Sequence, residues 1–196
     1  IASPESLMNH PRLAVIIGLL VIAAIMRLMP HPPNFTPISA MALFGGTYLE
    51  GRIGALVLPL SVLFATDLVI GLHNTMPFVY AGFAATAAMG FGLRTHRGMA
   101  WIAGAAGLSS VLFFLLTNFG VWWAGGLYPK DFGGLVACYV AAIPFFQNSL
   151  VGDLFYTGVL FGGMGVAERL IPWLRQRPAL ADDHDPLRPR TRYLGA

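Results

Sequence analysis

At 196 residues, with 56% of them apolar and only 11% charged, the chain falls outside the soluble class, whose domains carry about 25% charged residues. It has room for one domain of about six membrane spans at roughly 20 residues per crossing plus a turn. The net charge of +3 does not point to nucleic acid, because the charges are placed in a membrane-insertion pattern, and the single cysteine, Cys138, excludes an internal disulfide or a CxxC or zinc-finger framework.

In chain order, residues 1–12 are polar, and a first span runs from about Pro11 to Met29. It is long enough to cross and has no small-residue cleavage pattern behind it, so no cleavable leader is expected. A stiff loop follows, with Pro30, Pro32, Pro33 and Pro37 fixing φ and barring a continuous helix. Thr36 before Pro37 reads as an N-cap with proline at the first helical position. The second span, Pro37 to Glu50, is short. The third covers about Ile53 to Leu72 with Pro59 inside, where a neighbouring helix can satisfy the backbone groups that proline frees. The fourth runs from Pro77 to Leu93 and the fifth from Met99 to Asn118, leading into Trp122, Trp123 and Tyr128, residues typical of a membrane interface.

Residues 133–172 exceed one crossing: forty helical residues reach about 60 Å, twice the ~30 Å hydrocarbon core. With Pro144 and Gln147-Asn148 as a break, 133–146 reads as a short helix dipping into the outer leaflet and 149–170 as the last span. The expected fold class is an all-α integral membrane protein of six transmembrane helices plus that short non-crossing helix. Residues 1–177 form one domain, and 178–196 a polar cytoplasmic tail.

With the N-terminus in the cytoplasm, the inner side holds Arg12, Arg52, Arg94, Arg97, Arg169, Arg175, Arg177, Arg188, Arg190 and Arg192, the outer side only Arg27 and Lys130. This positive-inside bias puts both termini in the cytoplasm. The Pro-, Asp- and Arg-rich tail cannot fold by burying its own apolar surface. If ordered, it is held by a partner chain through Arg188, Arg190, Arg192 or Tyr193.

Asp67 and Asp153 fall inside spans, where an ionised Asp costs about 2.5–3.5 kcal/mol on insertion scales and so faces a cavity or a partner. Both lie in the same half as the proline loop. The expected polar cluster is Arg27, His31, Asn34, Thr36, Asp67, His73, Asn118, Gln147, Asn148 and Asp153, around one outward-facing cavity. The competing reading pairs Arg27 with one aspartate and uses the amides to satisfy helix breaks. Gly158/Gly162 and Ala14/Gly18 are small-residue pairs at helical spacing, expected to serve close packing inside the monomer. Cys138 reads as a small buried apolar residue. No Ser–His–Asp spacing, HExxH, Walker loop or GxGxxG occurs, and an enzyme is not expected.

The segments Pro-His-Pro-Pro-Asn-Phe-Thr-Pro-Ile (30–38), Ala-Leu-Phe-Gly-Gly (42–46), Asp67 to Gly71 and Asn148 to Gly158 resemble a family of uncharacterised bacterial membrane transport proteins over about residues 12–170. That family is similar in size and layout to the substrate-binding S components of energy-coupling-factor vitamin transporters. The resemblance implies six helices around a vitamin-like ligand site, a lid at His31 to Thr36, and a coupling face on the first helix that includes Ala14 and Gly18. It also implies partner subunits to supply energy, since the chain has no ATP-binding motif.

Two functional readings follow. One is a small-molecule-binding transporter component of the bacterial inner membrane. The other is a non-catalytic accessory subunit of a large photosynthetic or respiratory membrane complex, with the ligand-binding fold recruited as scaffold. The expected partners are the lipid bilayer, other membrane subunits and a small-molecule ligand. No metal site, covalently bound cofactor or nucleic acid is expected.

Overall fold

A backbone in hydrocarbon must satisfy its own hydrogen bonds, which leaves helices as the economical choice for a chain this apolar. The computed structural model describes residues 4–175, with side chains from Pro11 onward. These residues form six α-helices and no strand: α1 Pro4–Leu28, α2 Ile38–Tyr48, α3 Arg52–Ile70, α4 Met76–Gly92, α5 Met99–Ala124 and α6 Phe132–Leu170, followed by a 3₁₀ turn at Pro172–Leu174. The tail residues Arg188, Arg190, Arg192 and Tyr193 lie outside the described residues.

Within α1, α3, α5 and α6 the segments Pro11–Leu28, Arg52–Ile70, Met99–Ala124 and Phe132–Leu170 are long and apolar enough to cross a membrane. The apolar α4 is shorter, at 17 residues. The protein is a multi-pass membrane protein by this measure. Helix α2 is different: its 11 residues rise only about 16 Å, half the hydrocarbon core.

Ten consecutive residues of α2, Ser39 to Tyr48, are buried, and α2 touches each of the other five helices. It is apolar all round, the pattern of a helix surrounded by protein. Its closest neighbour is α4. A Cβ on Gly90 would stand 2.5 Å from the Leu43 carbonyl oxygen, and one on Gly46 would collide with that of Ala87. Thr47 Oγ1 is 2.8 Å from the Leu43 carbonyl oxygen and 3.2 Å from that of Gly90 on α4, and can donate to either. On another side, Gly45 accommodates Pro59, whose Cγ would be 2.6 Å from an added Cβ. Phe44 and Tyr48 meet Phe161 of α6 at ring distances of 5.5 and 5.6 Å.

Helix α1 presents Arg12, Ile16, Leu20, Ala23 and Arg27 to the bundle, a stripe at three- and four-residue spacing. Successive helices alternate in direction, so Arg12, Arg52, Arg94, Arg97, Arg169 and Arg175 gather at one end, here called the arginine-rich end, and Arg27 and Lys130 at the other.

Three expectations need correction. First, α6 runs unbroken for 39 residues through Pro144, Gln147 and Asn148, so 133–146 is not a separate helix. Proline forfeits one backbone hydrogen bond, whereas breaking the helix in hydrocarbon would expose several. Secondly, the N-cap of α2 is Pro37, not Thr36, and no side chain caps it. The helix starts one residue late because Pro37 contributes its carbonyl to Met41 N at 2.9 Å. Thirdly, the small-residue pairs are not packed against other described residues: Gly158 and Gly162 are exposed, as is Ala14, and an added Cβ on Gly158, Gly162 or Gly18 would meet nothing within 4 Å among them.

The contrast between these glycines is testable. Gly46→Ala drives a methyl into the α4 backbone and is expected to destabilise the protein by about 1–3 kcal/mol, as overpacking does. Gly18→Ala adds a methyl in open space and is expected to be neutral or to stabilise by up to about 1 kcal/mol through helix propensity. Thermal unfolding in the same detergent compares them directly.

Candidate functional site

At the Arg27 end, α1 and α3 are joined by a charge pair. Arg27 Nη2 donates to Asp67 Oδ1 at 2.6 Å, and Nη1 reaches the Leu63 carbonyl at 3.2 Å and the Thr66 hydroxyl. Tyr80 of α4 donates its hydroxyl to the other carboxylate oxygen of Asp67 at 2.8 Å. The Asp67 side chain is 2% exposed and that of Arg27 11%. A buried charge needs such a full set of partners. His31 sits over the end of α1, with Nε2 3.1 Å from the Arg27 carbonyl and Nδ1 3.0 Å from that of Pro32.

Asp153 of α6 belongs to a second network. Ser110 of α5 donates to its Oδ2 at 2.6 Å, and the Ser39 hydroxyl of α2 lies beside it. Ser39 is in the first turn of α2, where the helix dipole favours a negative charge. Asp67 therefore ties α1, α3 and α4 together, and Asp153 ties α2, α5 and α6.

The proline loop 29–37 lies between these networks. Phe35 N donates to the Pro32 carbonyl at 3.0 Å, and Asn34 has φ +62°. Proline at the second position and a left-handed Asn at the third form the type II turn pattern. Asn148 of α6 donates to the Pro33 carbonyl at 3.0 Å. Phe35 packs on Phe155 and Tyr156 at ring distances of 5.8 and 5.5 Å. Gly152 makes room for the chain here: an added Cβ would stand 3.1 Å from Phe35 Cα.

Beside the loop is a cavity of 230 Å³ between α4, α5 and α6, walled by Val79, Phe113, Phe114, Phe145 and Phe146, with Asn34, Thr117, Asn118 and Ser149 as its polar groups. Thr117, Asn118 and Ser149 each donate to the carbonyl four residues earlier, at 2.8, 2.8 and 3.2 Å. With their single hydroxyl donors committed, Thr117 and Ser149 offer a guest oxygen acceptors, while Asn118 offers its carbonyl oxygen and one remaining N–H. No charged side chain lines the cavity.

Of the residues singled out from sequence, Asn34 and Asn118 line this cavity, and Asn148 holds the adjoining loop at Pro33. Arg27, His31 and Asp67 form the adjoining charge network, and Asp153 a helix tie. Thr36 is half-buried in the loop beside Gly152, and His73 and Gln147 are exposed. Neither aspartate lines the cavity. Sequence reasoning passed over Tyr80, Ser110 and Ser39, the partners of the two aspartates, and the paired phenylalanines 113–114 and 145–146. Aromatic pairs in a span look the same whether they face lipid or a cavity.

Among known families, one described as a family of unknown function, DUF6580, matches residues 8–176. No curated protein and no solved structure gives a significant match. The family description carries neither an activity nor a link to S components.

Removing one member of the Arg27–Asp67 pair strands the other charge. Asp67→Leu is expected to cost about 3–5 kcal/mol. Adding Arg27→Met to it should recover most of that loss, because no buried charge then remains. Unfolding midpoints of the two single variants and the double variant give the coupling.

Proposed function

The chain belongs to that family, and we propose that it is the substrate-binding membrane component of a small-molecule transporter, working with partner subunits that supply energy. The observation that carries this reading is the cavity beside the loop 29–37, which contributes Asn34 to its lining. Irregular backbone is tolerated where it lines a cavity, and this loop, exposed over most of its length, does so through Asn34. Four prolines stiffen it, so closing it over a guest costs little ordering entropy.

The lining suggests the ligand class. A volume of 230 Å³ is below the roughly 300–1,000 Å³ of drug-sized sites, so the guest is small. Phenylalanine walls favour a flat or apolar body, the absence of charge in the lining favours a neutral one, and the hydroxyl and amide groups favour a few hydrogen-bonding groups on it, donors and acceptors both. A small neutral heterocycle of the vitamin type has these features. In this reading Arg27, His31 and Asp67 hold the frame and Asn34, Asn118 and Ser149 touch the ligand.

The exposed Ala14 and the open face of Gly18 on α1 support a coupling surface for a partner subunit there, since small residues let membrane helices approach closely. In this reading the arginine-rich end faces the cytoplasm of a bacterial inner membrane, as the positive-inside bias suggests.

Mild-detergent purification from the native membrane, followed by mass spectrometry of released small molecules, tests the proposal. A neutral compound should accompany the protein at near-stoichiometric amounts and be lost at least tenfold from Ala142→Trp, which fills the cavity from α6. A correctly folded protein that carries no small molecule from its native membrane, and shows no change with Ala142→Trp, would contradict it.

A further inference from the structure

Two side-chain amides, those of Asn34 and Asn118, border the loop-side cavity. Their commitments differ. Asn118 Nδ2 donates one N–H to the Phe114 carbonyl at 2.8 Å. The Asn34 side chain is exposed and hydrogen-bonds no described residue, so its carbonyl oxygen and its N–H groups are open to a guest.

The backbone that carries this open amide is held in place. The φ of +62° at Asn34 belongs to the third position of the turn that Phe35 N closes on the Pro32 carbonyl at 3.0 Å. Pro33, just before it, has its own φ fixed by the ring, and its carbonyl accepts from Asn148 Nδ2 of α6 at 3.0 Å. Asn34 is therefore displayed from a preset backbone, and engaging a guest orders little more than its side chain.

A free carboxamide presents an acceptor and a donor side by side, the edge with which asparagine reads adenine through two parallel hydrogen bonds. Phe113, Phe114, Phe145 and Phe146 supply aromatic surface for a flat body beside it. We propose, on the ligand-binding reading of this cavity, that Asn34 selects the guest, and that the guest is a planar neutral heterocycle with a lactam or amidine edge. On such an edge an N–H stands next to a carbonyl oxygen or a ring nitrogen. The Asn34 oxygen accepts from that N–H, and an Asn34 N–H donates to the neighbouring oxygen or nitrogen. Asn118, Thr117 and Ser149 remain for a second polar edge. A turn with φ > 0 at this position also accepts glycine. Asn34→Gly thus keeps the turn and removes only the amide, which separates recognition from turn chemistry.

The test uses the full-length protein in lipid nanodiscs, with empty nanodiscs as the blank, and equilibrium dialysis of three bicyclic probes. Carbostyril has the lactam edge, N-methylcarbostyril lacks its N–H, and naphthalene lacks both polar groups. Wild type should bind carbostyril about tenfold more tightly than either of the others, the effect of one bidentate pair. Asn34→Gly should erase that preference while leaving naphthalene binding and the unfolding midpoint unchanged. Asn34→Asp, which replaces the donor with a second acceptor, should erase it too. Carbostyril bound equally by Asn34→Gly and wild type would overturn the inference, and so would a wild type that does not prefer carbostyril to its N-methyl derivative or to naphthalene. Naphthalene binding that is lost in Ala142→Trp would in that case leave the cavity standing as a ligand site without the amide edge. If no probe's binding responds to Ala142→Trp, the ligand-binding reading falls and this inference with it.

Discussion

An eleven-residue helix cannot cross a bilayer, and the structure depends on how α2 is accommodated. Its orphan backbone groups cannot reach water. At its C-terminal end Arg94 supplies the missing donors to the Gly46 and Leu49 carbonyls. At the other end proline has no N–H to leave unpaired, and Ser39 and Asp153 bring a hydroxyl and a carboxylate to the first turn. Burying α2 requires neighbours at backbone distance, which explains the glycines facing one another on α2 and α4. What α2 does not span, the loop 29–37 must occupy, and this puts an irregular segment beside α6 and next to a cavity.

The two ends of α1 illustrate how similar residues acquire different roles. Arg12 and Arg27 stand on one helical face, four turns apart. Arg27 meets a carboxylate, a hydroxyl and a carbonyl from α3, and its charge is consumed in holding the frame. Arg12 meets the Tyr48 ring and the Glu168 carboxylate, the latter as an ion pair at 3.9 Å. Arg27 is held by short, directed hydrogen bonds, Arg12 by a longer ion pair and a ring face.

Much of this was legible in the sequence. Hydropathy located α1 to α5 and the apolar stretch that forms α6, the proline spacing located the loop, and the cost of burying charge gave Arg27 and Asp67 a reason to meet. Pro33-Asn34 carried the turn in its residue types. The continuity of α6 was not legible, because proline in water and proline in hydrocarbon have different alternatives, and composition does not weigh them. Nor was the separation of Asp67 from Asp153, which depends on where Tyr80, Ser110 and Ser39 fall once the helices pack. Gly46 and Gly90 were indistinguishable from Gly158 and Gly162 by spacing alone; only the presence of a backbone opposite gives a glycine its purpose.

The account turns on the loop lying against α6 at the cavity, rather than standing free at the surface. In a Cys138→Ser background, Asn34→Cys and Ser149→Cys place thiols on the two sides of that cavity. A short bifunctional thiol reagent should join them within one chain in intact membranes, and filling the cavity with Ala142→Trp should suppress the link. If both cysteines react singly and no link forms with or without Ala142→Trp, the loop does not border the cavity, and the ligand-binding reading falls with it.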